Sequence, residues 1–108
     1  MKEETRRAIA FDAAARINGR NPSSIYSYDQ GGHTPMSDGY DYGAQAHFSR
    51  SGSSLYHYGT SSHINLSING KNFSGYDYDE GHHFNGTVNG NSVQIYDYGE
   101  SKYFNYSV

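Results

Sequence analysis

Histidine is the residue type in this chain best suited to hold a metal or to move a proton, and most of the histidines recur in one motif. The motif is Tyr-x-Tyr followed, after four more residues, by His or Tyr, and the chain holds five copies of it. These copies are Tyr26/Tyr28/His33, Tyr40/Tyr42/His47, Tyr56/Tyr58/His63, Tyr76/Tyr78/His83 and Tyr96/Tyr98/Tyr103. Successive histidines are predicted two strands apart, roughly 9 to 10 Å, whereas zinc needs ligand atoms about 2 Å away. The spacing of these histidines therefore predicts no metal site. We expect each histidine to stack on the second tyrosine of its copy.

The densest cluster of acids and histidines is the stretch from Asp77 to His83, which also includes Asp79, Glu80 and His82. Such groups can hold a cation or supply an acid and a base. We expect a solvated turn instead, because Asp77 and His83 are predicted on opposite faces of a sheet. A small metal-dependent enzyme that uses the Asp79-His83 loop is the alternative. The sequence contains no Ser/His/Asp pattern or phosphate-binding glycine loop, so we predict no catalytic residue and no cofactor.

The alternation of apolar and polar residues from Phe73 to Val108 predicts four antiparallel strands. With Tyr98 placed opposite Tyr103, one face is apolar and the other carries tyrosine, amide and hydroxyl groups. Extended to the whole repeat, the apolar face comprises Ile25, Phe48, Leu55, Ile64, Leu66, Ile68, Phe73, Phe84, Val88, Val93, Ile95, Phe104, Tyr106 and Val108. Every tyrosine except Tyr106 falls on the opposite face.

The fold class is therefore mainly β with one N-terminal helix, in a single domain of residues 1–108. The helix lies within residues 1–20, since Glu3 and Glu4 suit a helix start and Asn18-Gly19 suit its end. Residues 24–108 form the five-copy hairpin repeat, an antiparallel β-meander of eight to ten short strands. We expect the helix to pack on the apolar face through Ile9, Ala13 and Ile17, with Phe11 at the rim or in a contact with a second subunit. The alternative is a small closed β-barrel, because long open sheets curl.

Composition limits the classes of function. The chain has 108 residues, no cysteine and a net charge of −3, and its acids are concentrated in the repeat. The start of the chain does not resemble a secretory signal, and no apolar run approaches membrane-spanning length. We expect a soluble, cytoplasmic protein that does not contact a membrane. An acidic sheet also argues against nucleic acid, which needs a positive groove.

The tyrosine face is the feature that indicates a function. Aromatic rings interspersed with amides and hydroxyls can stack on sugar rings and hydrogen-bond their hydroxyls, and they also suit protein interfaces. We predict a non-catalytic interaction module that self-associates, through the sheet edge at Tyr103 to Val108 or through the tyrosine face, or that binds a glycan or other polymer. The predicted ligand-binding residues are Tyr56, Tyr58, His63, Tyr76, Tyr78, His83, Tyr96, Tyr98 and Tyr103. A pH-responsive structural element is a further alternative, because four histidines share this face.

Overall fold

The computed structural model describes all residues, 1–108, and contains one helix followed by ten strands. The helix is α1 (Glu3–Asn18). The strands are β1 (Ser24–Ser27), β2 (Gly32–Ser37), β3 (Tyr40–Asp41), β4 (Ala46–Ser51), β5 (Ser54–His57), β6 (Ser62–Asn69), β7 (Asn72–Asp77), β8 (His82–Asn89), β9 (Ser92–Asp97) and β10 (Lys102–Ser107). The α1 helix is the only one, and it is neither long nor apolar enough to cross a membrane.

The strands form a closed barrel in which each strand pairs antiparallel with its neighbours in sequence, and β1 pairs with β10 to close the ring. The predicted meander is confirmed, and of the two arrangements considered the closed barrel is the one that forms. Closure pairs Tyr26 with Ser107 and Ser27 with Tyr106. The expectation of an uncovered edge at Tyr103 to Val108 is therefore wrong, because β1 and Tyr28 pair with the C-terminal part of β10, from Asn105 to Ser107.

The α1 helix lies inside the barrel, on the apolar face as predicted, but surrounded by it. Ile9 and Ala13 share one side of the helix and Phe11 lies nearly opposite, yet all three are buried. Phe11 packs edge-on against Phe48 of β4, with ring centroids 6.0 Å apart. Its expected position at a rim or in a subunit contact is wrong, because a barrel supplies a wall on every side of the helix. Small alanines let a helix about 10 Å wide fit among the inward phenylalanines.

The predicted division of the sheet into two faces is confirmed, but the register of the hairpins at the Tyr-x-Tyr motifs is offset by two residues. The residue opposite Tyr103 is Tyr96, and the residue opposite His83 is Tyr76. Tyr98 and its counterparts lie in the four-residue loops instead. An offset of two leaves every side chain on its predicted face, whereas an offset of one would have exchanged the faces.

Two inward glycines, Gly75 and Gly86, accommodate phenylalanine rings from the neighbouring strands. Gly75 pairs with Phe84, and Gly86 pairs with Phe73. A Cβ at Gly75 would lie 2.7 Å from the Phe84 ring, and one at Gly86 would meet the Phe73 ring. The absence of side chains at these two positions therefore leaves room for both rings beside the neighbouring strands.

Candidate functional site

The outer surface carries an aromatic belt, which we define as the fifteen tyrosines and histidines of the five motif copies. In each copy the first tyrosine lies between its two partners. Tyr76, for example, contacts Tyr78 at a centroid distance of 5.0 Å and His83 at 4.7 Å, both near perpendicular. Tyr96 contacts Tyr98 and Tyr103 at 4.7 Å in the same way. Edge-to-face contacts of this kind stabilise aromatic pairs by about 0.5–1.5 kcal/mol.

In the four copies with a histidine, that histidine therefore packs on the first tyrosine, not on the second as predicted, and Tyr103 takes the same place in the fifth copy. The register explains the difference, because the histidine pairs across the hairpin with the first tyrosine and the second tyrosine has already entered the loop. All five copies repeat this contact, from Tyr26 and His33 at 4.6 Å to Tyr56 and His63 at 6.3 Å.

The belt is continuous over copies two to five, because each second tyrosine also reaches the preceding copy. The amides of Tyr58, Tyr78 and Tyr98 donate hydrogen bonds to the carbonyls of His47, His63 and His83. The His63 ring lies 5.7 Å from the Tyr78 ring. Pairing of neighbouring hairpins thus places copies two to five side by side on the outer face.

The nine predicted ligand-binding residues all lie in this belt and all face outward. Six tyrosines are between 52% and 64% exposed: Tyr28, Tyr42, Tyr58, Tyr78, Tyr98 and Tyr103. The first tyrosine of each copy is half-buried beneath its partners. The belt therefore presents exposed rings held on a rigid layer of partly buried ones.

The middle residue of each Tyr-x-Tyr motif points inward, and together these five residues form an inner polar ring: Ser27, Asp41, His57, Asp77 and Asp97. All five are buried. Each accepts a hydrogen bond from a backbone amide of the loop that follows it: Asp97 Oδ1 from Gly99 at 2.9 Å, and His57 Nδ1 from Thr60 at 3.2 Å. Serine, aspartate and histidine thus perform one structural task, which is to cap the loop that holds the second tyrosine.

Two aspartates of the inner polar ring also bind the helix. Asp41 Oδ2 accepts from Arg7 Nη2 at 2.7 Å and Nε at 3.0 Å, and Asp97 Oδ2 accepts from Arg6 Nη1 at 3.0 Å. Burial alone would raise the pKa of Asp41, but the nearby His57 ring, 3.9 Å away, and hydrogen bonds from Ala44 N and Arg7 outweigh it and lower that pKa. For Asp97, the N-terminal ammonium and the loop amides likewise outweigh burial, and its pKa is lowered.

Two other buried aspartates have raised pKa values because burial is the larger effect. Asp77 caps its loop through Asp79 N at 2.9 Å, but its carboxylate has no cationic partner. Asp12 lies on the helix, where Arg50 hydrogen-bonds Oδ1, while Oδ2 has no hydrogen-bond partner and lies 3.6 Å from Arg16 Nε. Burial raises its pKa in spite of Arg50 and Arg16.

His57 is the one fully buried imidazole. Because its Nδ1 accepts from Thr60 N, the ring proton is assigned to Nε2, which has no hydrogen-bond partner. The nearest carboxylate oxygen, Asp41 Oδ2, is 3.9 Å away, and the ring stacks on Phe48. His57 therefore has a structural setting, closed off from the outer face.

The structure disperses the Asp79-His83 loop among separate partners. Asp79 contacts Lys2 and Ser62 at 3.3 Å, and Glu80 lies 3.0 Å from the N-terminal ammonium. The His83 ring packs on Tyr76, and no three His, Cys, Asp or Glu side chains converge as a metal site would require.

Sequence reasoning missed the inner polar ring, although its signal was present. The motif places an aspartate between two tyrosines three times, and the alternation that sends both tyrosines outward must send that aspartate inward. The pattern could not show which side chains pair with these aspartates. The arginines that do so come from the helix, whose position depends on closure of the barrel.

Comparisons with known proteins add no family to this description. No protein-family model matches the chain, and neither the curated proteins nor the solved structures gave a match.

Proposed function

We propose that this protein is a non-catalytic interaction module that binds a glycan or other polymer through the aromatic belt. The observation that carries the proposal is the exposure of six tyrosines, each of which is more than half exposed on the outer face of the barrel. Exposed, contiguous aromatic surface is a mark of binding sites. Stacking on the apolar face of a sugar ring would bury that surface without requiring a deep pocket.

The repetition of the belt supports a polymeric ligand. Copies two to five present the same arrangement of two tyrosines and a histidine or tyrosine at regular intervals around the barrel. A polymer with repeating units can occupy several equivalent subsites at once, so weak contacts add up to useful avidity.

The interior supports a binding role over a catalytic one. Its charged side chains already pair with each other or cap loops, as Arg7 and Asp41 show. The aromatic belt lies on the other side of the sheet, so the interior carboxylates do not face the proposed ligand.

Self-association through the aromatic belt is the second candidate, because the same exposed rings suit contact with a second copy. A contact through a sheet edge is not proposed, since β1 and β10 close the barrel.

The test is a titration with a panel of soluble polysaccharides, using Tyr78→Ala/Tyr98→Ala and the matched Tyr78→Phe/Tyr98→Phe variant. Loss of each ring should weaken binding about fivefold, for ~1 kcal/mol per stacking contact. The Phe variant retains the rings and should bind nearly as well. If no polymer binds, the ligand proposal fails. Sedimentation of the same variants then tests self-association, which a compact monomer at every concentration would exclude.

A further inference from the structure

The outer face of the wide half of the barrel carries no charged side chain. Along β5 to β10, every outward position holds tyrosine, histidine, asparagine, glutamine, serine or threonine. The acids and bases of this region lie elsewhere: inside the barrel, as Asp77 and Asp97 do, or in the loops at its ends, as Lys71 and Glu100 do. In a chain with 19 charged residues this separation is a specific chemical property of one face.

Six residues of this face form a row across neighbouring strands. We call it the uncharged row: Asn69, Asn72, Thr87, Gln94, Asn105 and Tyr28. Each member pairs with the next across the sheet, and Tyr28 completes the row because its amide donates to the Asn105 carbonyl at 3.1 Å. Five strand spacings make the row roughly 24 Å long.

The uncharged row lies along two adjoining grooves. One, of about 700 Å³, is lined by Tyr28, Gln94 and Asn105 among others, and a second, of about 360 Å³, includes Asn69 and Asn72. Thr87 lines both, so the two grooves meet at this residue. Tyr28, 64% exposed, stands at one end as an aromatic platform.

The side chains of the row are held in place and still have hydrogen-bonding capacity to spare. Gln94 Nε2 donates to Asn105 Oδ1 at 3.2 Å, and Thr87 Oγ1 donates to Asn72 Oδ1 at 3.3 Å. Each bond uses one donor and one acceptor, so the Gln94 carbonyl and the amide groups of Asn72 and Asn105 can still reach a ligand. Neutral groups that both donate and accept match the hydroxyls of a sugar.

The lack of charge on this face also limits the class of ligand that it can bind. The strands of this face offer an anionic group no cation, since the neighbouring Lys71 lies in the turn between Asn69 and Asn72, and they offer a cationic polymer no anion. The net charge of −3 adds repulsion toward polyanions.

We propose that the polymer bound by this protein is a neutral polysaccharide, and that its chain lies along the uncharged row beside the aromatic belt. This inference rests on the proposed function and specifies its ligand class and path.

The experiment compares neutral polymers (dextran, galactomannan, mixed-linkage β-glucan) with charged ones (heparin, polygalacturonate, chitosan) by calorimetry at 50 mM and 500 mM salt. The row variant is Gln94→Ala/Asn105→Ala. The control is Ser51→Ala/Ser54→Ala, a cross-strand pair on the outer face away from the row. We expect binding to a neutral polymer that is insensitive to salt, at least a tenfold loss in the row variant and no change in the control.

Three results would overturn these proposals separately. Binding confined to charged polymers and lost at 500 mM salt contradicts neutrality but leaves the aromatic belt as a binding site. Neutral binding that the row variant does not weaken contradicts the path along the row. Absence of binding to every polymer contradicts the proposed function itself.

Discussion

Asp41 and Asp77 occupy the same position of the repeat, yet replacing each by asparagine should have opposite effects. Asparagine retains a side-chain oxygen to cap the loop, so both variants preserve that task. Asp41→Asn removes the counter-ion of Arg7, whose side chain is only 12% exposed. Loss of one partner from a buried pair costs about 3 kcal/mol. Asp77 has no cationic partner, so Asp77→Asn should cost nothing and can stabilise by up to ~1 kcal/mol.

The assay is urea unfolding at pH 7 followed by circular dichroism, with thermal unfolding as a second measurement. At ~4 °C per kcal/mol, Asp41→Asn should lower the melting temperature by about 12 °C. Asp77→Asn should leave it unchanged or raise it. A loss for Asp77→Asn equal to that for Asp41→Asn would refute the reasoning, because it would mean that the Asp77 carboxylate is stabilising.

The pH dependence of the free energy of unfolding supplies an independent check, because the two substitutions change stability in opposite directions. The pKa of Asp41 is lowered by folding, so its contribution is present above the unfolded value of about 3.9 and is lost as pH falls through the folded pKa. The deficit of Asp41→Asn should therefore shrink below about pH 4. The pKa of Asp77 is raised, so its penalty is greatest above the folded pKa and is relieved on acidification. Any advantage of Asp77→Asn should fade as pH falls.

Three further predictions follow from packing and backbone geometry. Phe11→Ala should cost 3–5 kcal/mol in urea unfolding because it leaves a cavity inside the barrel, whereas Ile17→Ala, at a half-buried site, should cost clearly less; equal losses would contradict the enclosed position of Phe11. Gly75→Ala should destabilise by ~2–3 kcal/mol, since its Cβ would meet Phe84 and the Asn65 carbonyl, and a neutral result would contradict that contact. Ser101, at φ 55°, adopts the left-handed conformation that glycine takes in the equivalent loop at Gly81; Ser101→Gly should therefore stabilise by about 0.5 kcal/mol, and destabilisation would count against this.

Much of the fold could be predicted because strand alternation has a period of two. Ile95, Phe104 and Tyr106 had to share a face once the turns preserved that period, and all three are buried. The offset of the hairpins by two residues escaped prediction for the same reason: Tyr96 and Tyr98 face the same way, so alternation cannot choose which one pairs with Tyr103.

Closure of the barrel could not be read from local pattern, because it depends on the accumulated curvature of ten strands. The position of Phe11 and the pairing of Arg7 with Asp41 both depend on closure, so neither could be predicted from the sequence pattern. The composition of the aromatic belt was predictable from the repeat, whereas its continuity was not. Contacts such as that between His63 and Tyr78 join different copies across the sheet.

The most direct test of the account is tyrosine nitration mapped by mass spectrometry, with and without a saturating neutral polysaccharide. In the free protein, we expect modification of the six exposed tyrosines and none at Tyr106, which is 1% exposed inside the barrel. With the polymer bound, Tyr28, Tyr78 and Tyr98 should be protected. Modification of Tyr106 in the folded protein, or equal modification of the aromatic belt with and without polymer, would contradict it.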